Sequence, residues 1–64
     1  MFKLTADNGA VIAQGPDLRS LKFKIESWFP LGAVTYSFDE YGEGWAYAYE
    51  GGHDKRLGYI EETR

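Results

Sequence analysis

The chain contains no cysteine, one histidine and two prolines among its 64 residues. Without cysteine it can form neither a disulfide nor a thiolate zinc site. No apolar run approaches the roughly 20 residues that cross a membrane, and no basic segment followed by an apolar one opens the chain. We therefore expect no membrane span and no signal peptide. The lack of cysteine is typical of proteins in the reducing cytoplasm, where we expect this one.

The length of 64 residues predicts a single small domain over residues 1–64. A domain of this size buries only about 60% of the surface that its unfolded chain exposes, so its core is thin. Two Trp, five Tyr and four Phe supply large side chains for that core. This aromatic content also distinguishes the chain from disordered sequences, which are poor in aromatic residues.

Glycine and proline divide the chain into six predicted elements. They are strands at 2–6, 10–14, 33–38, 45–49 and 56–62, and a helix from Asp17 to Phe29. A turn at 51–54 precedes the last strand. Short connections make successive strands antiparallel neighbours. The sequence therefore predicts an α+β fold of order ββαβββ, in which one helix packs on one face of an antiparallel sheet of four or five strands.

Two patterns predict the core. Apolar residues of the helix recur at steps of three or four, which places them on one stripe. In the first hairpin, the turn at Asp7-Asn8-Gly9 can close as a two-residue or a three-residue loop. We prefer the three-residue loop with a bulge at Gly9, because it buries Ile12 beside Leu4. The predicted core comprises Leu4, Ile12, Leu18, Leu21, Ile25, Trp28, Tyr36, Phe38 and Ile60.

Few residues suit catalysis or metal binding. His53 is the sole histidine, and it lies beside Asp54 in a glycine-rich turn, where we expect neither a pocket nor a positioned partner. The chain has no P-loop, Gly-x-Gly-x-x-Gly or His-Glu-x-x-His motif. Asp39, Glu40 and Glu43 share a loop, but their spacing does not match an EF-hand. We therefore predict no enzymatic activity, no catalytic residues, no metal and no other cofactor.

The segment Trp45-Ala46-Tyr47-Ala48-Tyr49 alternates strictly between aromatic residues and alanine. Successive side chains of a strand point to opposite faces, so the three aromatics share one face. Two arrangements fit. In the favoured one the aromatics face the helix and form the core, because they carry the most buriable area. In the other the alanines lie under the helix and the aromatics form an open apolar surface, which would mark a partner site.

Phe23 is a second candidate contact residue. It lies about 140° around the helix from Leu18, away from the apolar stripe. Arg19 and Lys24 flank it. A lone exposed phenylalanine is common on protein surfaces, but one between two cations can also anchor a partner. The candidate partner-binding residues are Trp45, Tyr47, Tyr49 and Phe23.

Acidic residues concentrate in the second half of the chain. Residues 1–32 carry four basic and three acidic side chains, whereas residues 33–64 carry three basic and seven acidic ones. The whole chain has a formal charge of −3. Nucleic acids are bound mainly by Lys and Arg that neutralise phosphates, so direct binding of nucleic acid is not expected.

The hairpin at 2–14, the helix at 17–29 and the aromatic strands at 34–38 and 45–49 together resemble small accessory proteins encoded by bacteriophages. The ββαββ part also resembles a β-grasp domain. The first resemblance implies a protein that binds and modulates a host protein in the host cytoplasm, and some anti-restriction members mimic DNA with carboxylates. We therefore expect a non-enzymatic protein-binding module. The alternative is a nucleic-acid-directed protein that binds single strands on its aromatic face or mimics DNA.

Self-association is a further expectation. If the aromatics of the 45–49 strand are open, they would support a weak homodimer; if they form the core, we expect a monomer. We also expect the C-terminal strand to be an edge strand. The charges of Lys55, Arg56, Glu61 and Glu62, with Gly58 in its middle, would protect that edge from pairing.

Overall fold

The computed structural model describes residues 1–63, and Arg64 lies outside the described residues. The elements are β1 (Phe2–Thr5), β2 (Val11–Gly15), α1 (Leu18–Glu26), β3 (Val34–Phe38), β4 (Gly44–Glu50) and β5 (His53–Glu62). All five strands form one sheet, and every neighbouring pair is antiparallel. The α+β class, the order ββαβββ and the single antiparallel sheet are confirmed.

The C-terminal strand lies inside the sheet. The spatial order is β2-β1-β5-β4-β3, so β5 pairs with β1 on one side and with β4 on the other. The expectation that β5 is an edge strand is wrong. Because α1 carries the chain from one edge of the sheet to the other, the three strands after it return toward β1. The edges of the sheet are β2 and β3.

The helix begins at a capping carboxylate. An Oδ atom of Asp17 accepts a hydrogen bond from the backbone N–H of Ser20 at 2.8 Å, which satisfies a donor that the first helical turn leaves free. This hydrogen bond holds the pKa of the Asp17 carboxyl below its ordinary value of 3.8. The predicted start of the helix is therefore confirmed.

The capping bond makes stability depend on pH. Because folding lowers the pKa of Asp17, the contribution of its charge is fully present above 3.8 and disappears as the pH falls through the lowered value. We expect Asp17→Asn, which keeps a capping oxygen, to melt below the wild type at neutral pH. The two melting temperatures should converge in acid. A difference that stays constant down to the acid limit would contradict this role of the charge.

The helix ends at Glu26, three residues before the predicted end at Phe29. The N–H of Trp28 donates to the carbonyl of Ile25, and the N–H of Phe29 donates to that of Glu26. These bonds join residues that are three apart, whereas those of an α-helix join residues four apart. The chain therefore winds more tightly than an α-helix, and the apolar stripe loses its period. Phe29 still packs against the core, but Trp28 is 50% exposed, and its predicted place in the core is wrong.

The core lies between α1 and one face of the sheet. Its buried residues are Leu4, Ala13, Leu21, Ile25, Ala46, Ala48 and Ile60. Leu18, Tyr36 and Phe38, which we also predicted to be core residues, pack against this cluster while remaining partly exposed. The predicted stripe of the helix is therefore correct as far as Ile25.

Ile12 is 43% exposed, so its predicted place in the core is wrong. The three-residue loop is present: the N–H of Ala6 donates to the carbonyl of Ala10, and Gly9 has a φ of +90°. However, Leu4 pairs with Ala13 while the next residue of β1 pairs with Val11, which leaves Ile12 as an extra residue. A bulge of one residue reverses which side chains face the core, and here it buries Ala13 instead of Ile12.

The hairpin of β4 and β5 is tighter than predicted. Glu50 pairs with His53, so the turn consists of Gly51 and Gly52 alone, both with positive φ. Glycine adopts this backbone conformation without strain, and two such residues form the turn whose twist matches antiparallel strands. As a result β5 begins at His53 and is ten residues long.

Candidate functional site

The alternating strand β4 presents alanine to the core and aromatic rings to the opposite side. Ala46 and Ala48 are fully buried, Trp45 and Tyr47 are half-buried, and Tyr49 is 58% exposed. The favoured prediction, with these aromatics in the core, is wrong. Leucine and isoleucine side chains from α1, β1 and β5 already fill the core, so only methyl groups fit beside them.

The sheet face opposite α1 is named here the open face. Strand register places Trp45, Tyr47 and Tyr49 of β4 on it, next to Thr35 and Ser37 of β3. From the other side it receives Tyr59 and Arg56 of β5, which pair with Trp45 and Tyr47 respectively. Hydrogen bonds to β3 and β5 along β4 hold the three aromatic residues in a fixed row. This row is the candidate site.

Trp45 is held in place by two side chains of β5. The ring of Tyr59 meets it edge to face, with centroids 5.0 Å apart and planes at 79°. The Cζ atom of Arg56 lies 4.5 Å from the centroid of the Trp45 ring, a cation–π contact. An Nη atom of Arg56 is in turn 3.1 Å from a carboxylate oxygen of Asp7. Trp45 is therefore a support for the row, and the rings available to a partner are those of Tyr47 and Tyr49.

Tyr59 and Arg56 were missed as site residues by the sequence analysis. Each is separated from Trp45 by a turn and by a bulge, because Ala46 pairs with Gly58 while Tyr47 pairs with Arg56. The two-residue turn of Gly51 and Gly52 fixes the register that pairs Tyr47 with Arg56, so reading its length correctly would have located Arg56. Tyr59 would still have been missed, because the bulge shifts the register beyond that pair.

Thr5 carries an unsatisfied group next to this face. Its Oγ1 atom is buried and has no hydrogen-bond partner among residues 1–63. A buried hydroxyl without a partner costs roughly 1–3 kcal/mol, so we expect Thr5→Val to raise the free energy of unfolding by about 1 kcal/mol. Urea denaturation of the two proteins measures the difference. Thr5→Ser, which keeps the hydroxyl but removes the methyl group, should be less stable than either; equal stability of all three would contradict the assignment.

Phe23 lies on the other side of the molecule. It is 79% exposed on the outer surface of α1, in a shallow groove that Leu18, Arg19, Lys22 and Glu26 also line. The sheet separates it from the aromatic row, so the structure does not bring the four predicted partner-binding residues together. The second cation beside Phe23 is Lys22 in place of the predicted Lys24.

The ammonium group of Lys24 is directed to the sheet. Its Nζ atom donates to the backbone carbonyl of Gln14 in β2 at 3.1 Å. The cation therefore cannot serve as a free flank of Phe23 without giving up this bond.

Tyr36 and α1 form a small polar cluster at the opposite edge. The Tyr36 hydroxyl donates to a carboxylate oxygen of Glu26 at 2.8 Å, and Nζ of Lys22 lies 5.0 Å from the centroid of the Tyr36 ring. Burial raises the pKa of Tyr36 well above its ordinary value, and the hydrogen bond to Glu26 raises it further. The neutral hydroxyl is therefore maintained as a donor.

The acidic loop between β3 and β4 has structural contacts. An Oδ atom of Asp39 accepts hydrogen bonds from the backbone N–H groups of Tyr41 and Glu43, at 2.8 and 3.1 Å. An Oε atom of Glu43 accepts from the N–H of Glu62 at 3.0 Å. Among residues 1–63 no three potential metal ligands are grouped. Nor is any helix in that part of the chain long and apolar enough to cross a membrane.

Comparison of this chain with protein-family models, with curated proteins and with solved structures finds no match.

Proposed function

We propose that this protein is a non-enzymatic binding module that docks a partner protein on its open face. The observation that carries the proposal is the row of Trp45, Tyr47 and Tyr49, which the buried alanines of β4 turn away from the core. Tyrosine, tryptophan and arginine are enriched at protein interfaces, where they supply most of the binding free energy.

The row is prepared for binding before a partner arrives. β4 is hydrogen-bonded to β3 and β5 on its two sides, and Tyr59 and Arg56 restrain the Trp45 ring. Binding to side chains that are already ordered costs little conformational entropy. Tyrosines have only two side-chain torsions, so Tyr47 and Tyr49 add contact area at a small further cost.

The surroundings of the row indicate the chemistry of the partner. Tyr49 pairs with Asp54, and the adjacent pair at the hairpin end is Glu50 with His53. The cations nearer the centre are paired within the chain: Arg56 with Asp7 and Lys3 with Glu61. A complementary partner would have an apolar surface bordered by basic residues near the hairpin. From the resemblance to phage accessory proteins we further propose a host protein, met in the host cytoplasm.

The alternative, binding of single-stranded nucleic acid, has weaker support from this surface. A base would have to stack on an aromatic face and a cation would have to neutralise its phosphate. Arg56 already covers the Trp45 ring and is paired with Asp7. Mimicry of DNA would need a denser array of carboxylates than a net charge of −3 provides.

Matched tyrosine substitutions test the proposal. Tyr49→Ser alters the row, whereas Tyr41→Ser alters a tyrosine of the β3–β4 loop that is 73% exposed. Partner proteins are captured from bacterial lysate with the wild type and with each variant, and the affinity of a captured protein is then measured. We expect Tyr49→Ser to weaken binding at least about tenfold, as loss of an interfacial tyrosine does, and Tyr41→Ser to leave it unchanged.

Other results would overturn the proposal. If the Tyr49→Ser and Tyr47→Ser variants both still bind the captured protein and the Phe23→Ser variant does not, the binding site lies in the groove of α1. Quenching of tryptophan fluorescence by oligonucleotides, weaker at higher salt, would support the nucleic-acid alternative. Turnover of a small substrate without any captured partner would contradict a binding module.

A further inference from the structure

The two edges of the sheet differ in their protection against pairing with another strand. β2 contains the bulge at Ile12, and Lys24 donates to its Gln14 carbonyl. β3 runs Val34-Thr35-Tyr36-Ser37-Phe38, with no charged residue, no proline and an unbroken register against β4. Native sheets protect their edges with charges, prolines and bulges because a bare edge pairs with other strands. Only β3 lacks these devices.

The hydrogen-bonding pattern shows which groups of β3 are free. Tyr49 donates its N–H to the carbonyl of Ala33, and Asp39 donates its N–H to the carbonyl of Glu43. Along a strand of an antiparallel pair, the backbone N–H and carbonyl groups of successive residues point alternately toward the partner strand and away from it. The backbone groups of Thr35 and Ser37 therefore point toward β4. The backbone N–H and carbonyl groups of Val34, Tyr36 and Phe38 point outward, and within residues 1–63 they form no hydrogen bond.

We propose that two copies of the chain associate by antiparallel pairing of their β3 strands, with Tyr36 opposite Tyr36 of the second copy. This register places Val34 opposite Phe38, so each outward N–H meets an outward carbonyl of the other strand. The result is a two-fold dimer in which one sheet runs through both copies. A second copy is the occupant because the strand is complementary to itself in this register.

The side chains are compatible with this pairing. On the open face, the hydroxyl of Thr35 faces that of Ser37 from the second copy, a cross-strand pair that stabilises sheets. On the helix side, apolar Val34 faces Phe38, whose ring stacks on that of Tyr36 with centroids 5.1 Å apart. β3 contains no charged residue, so pairing encounters no like-charge repulsion between the two strands.

The charges next to the axis also favour a second copy. Lys22 and Glu26 both contact Tyr36, which in this pairing lies next to the two-fold axis. Each copy therefore contributes one cation and one anion next to the axis, so these residues add no net charge to the contact between two copies.

The dimer would also join the two open faces. Residues directly opposite in an antiparallel pair have side chains on the same side of the sheet, so both helices lie on one side and both aromatic rows on the other. The inference does not rest on the proposed function, but it would give a partner with two equivalent sites a bivalent surface.

Charge variants of β3 test the pairing. In the double variant Thr35→Lys, Ser37→Lys, the introduced lysines oppose each other across the axis. The same design with Thr35→Glu, Ser37→Glu opposes carboxylates. Sedimentation equilibrium over a broad concentration range measures the dissociation constant of the dimer. We expect the wild type to dimerise and either double variant to raise this constant on the order of tenfold or more. A mixture of the two variants should form a heterodimer, which also shows that both remain folded.

A matched control carries Val11→Lys and Gln14→Lys on the other edge strand, and this protein should dimerise like the wild type. A wild type that stays monomeric at every concentration would overturn the proposal, as would a dimer that both charge variants retain. A dimer lost in Tyr47→Ser but kept in the lysine variant would place the contact on the aromatic row instead. A failure of partner capture does not affect any of these outcomes, so the two proposals fail separately.

Discussion

Replacing Ile25 by alanine should lower the free energy of unfolding by about 2–5 kcal/mol, the usual cost of truncating a buried aliphatic side chain. Ile25 is fully buried and belongs to the cluster that joins α1 to Leu4 of β1 and Ile60 of β5. A core of this size supplies only about 3–5 kcal/mol in total, so the variant should approach global unfolding. Urea denaturation followed by circular dichroism measures the loss.

The matched control is the same chemical change at the bulge. Ile12→Ala removes identical atoms from a side chain that is 43% exposed, and we expect it to cost less than about 1 kcal/mol. An equal loss at both positions would mean that Ile12 is buried and that the bulge is absent. A larger loss at Ile12 than at Ile25 would show that the helix face is assigned wrongly.

Gly44→Ala should also destabilise the protein, by about 1–3 kcal/mol or more. A Cβ atom at Gly44 would overlap the backbone carbonyl of Ser37 and would lie 3.0 Å from the Cα atom of Phe38. The φ of Gly44 is not positive, so replacing this glycine with alanine would otherwise stabilise a strand. A destabilisation therefore reports the close approach of β3 and β4, and urea denaturation measures it.

A second substitution identifies the cause. The overlapping atoms of Ser37 belong to the backbone, so Ser37→Ala should not relieve the effect of Gly44→Ala. In a double-mutant cycle we expect the two changes to add, within the usual error of about 0.5 kcal/mol. A Gly44→Ala protein as stable as the wild type would contradict the close approach of the two strands. Recovery of stability in the double variant would mean that the Ser37 side chain, and not its backbone, causes the overlap.

Local patterns in the sequence determined most of the fold. Asp17 caps the helix where its spacing predicted, and the stripe of Leu18, Leu21 and Ile25 faces the sheet. The same period failed at Trp28, because the chain tightens after Ile25 and no local residue pattern marks that change. The place of β5 between β1 and β4 depends on contacts between distant segments, which short connections alone do not reveal.

The candidate site was predicted in part. The alternation in β4 correctly grouped Trp45, Tyr47 and Tyr49 on one face, but it could not say which face. That choice depends on volume: large side chains of other elements fill the core, and Ala46 and Ala48 fit the remaining space. Ile12 shows the same limit, because the bulge that exposes it is settled by packing of the whole hairpin.

The orientation of β4 is the claim on which the proposed function depends, and nuclear Overhauser contacts test it most directly. We predict contacts from the Ala46 methyl group to methyl groups of Leu21 and Ile25, and contacts from the Tyr47 ring only to residues of the open face such as Thr35 and Arg56. Contacts between the Tyr47 ring and the methyl groups of Leu21 or Ile25 would contradict the account, because they would place the aromatic row in the core.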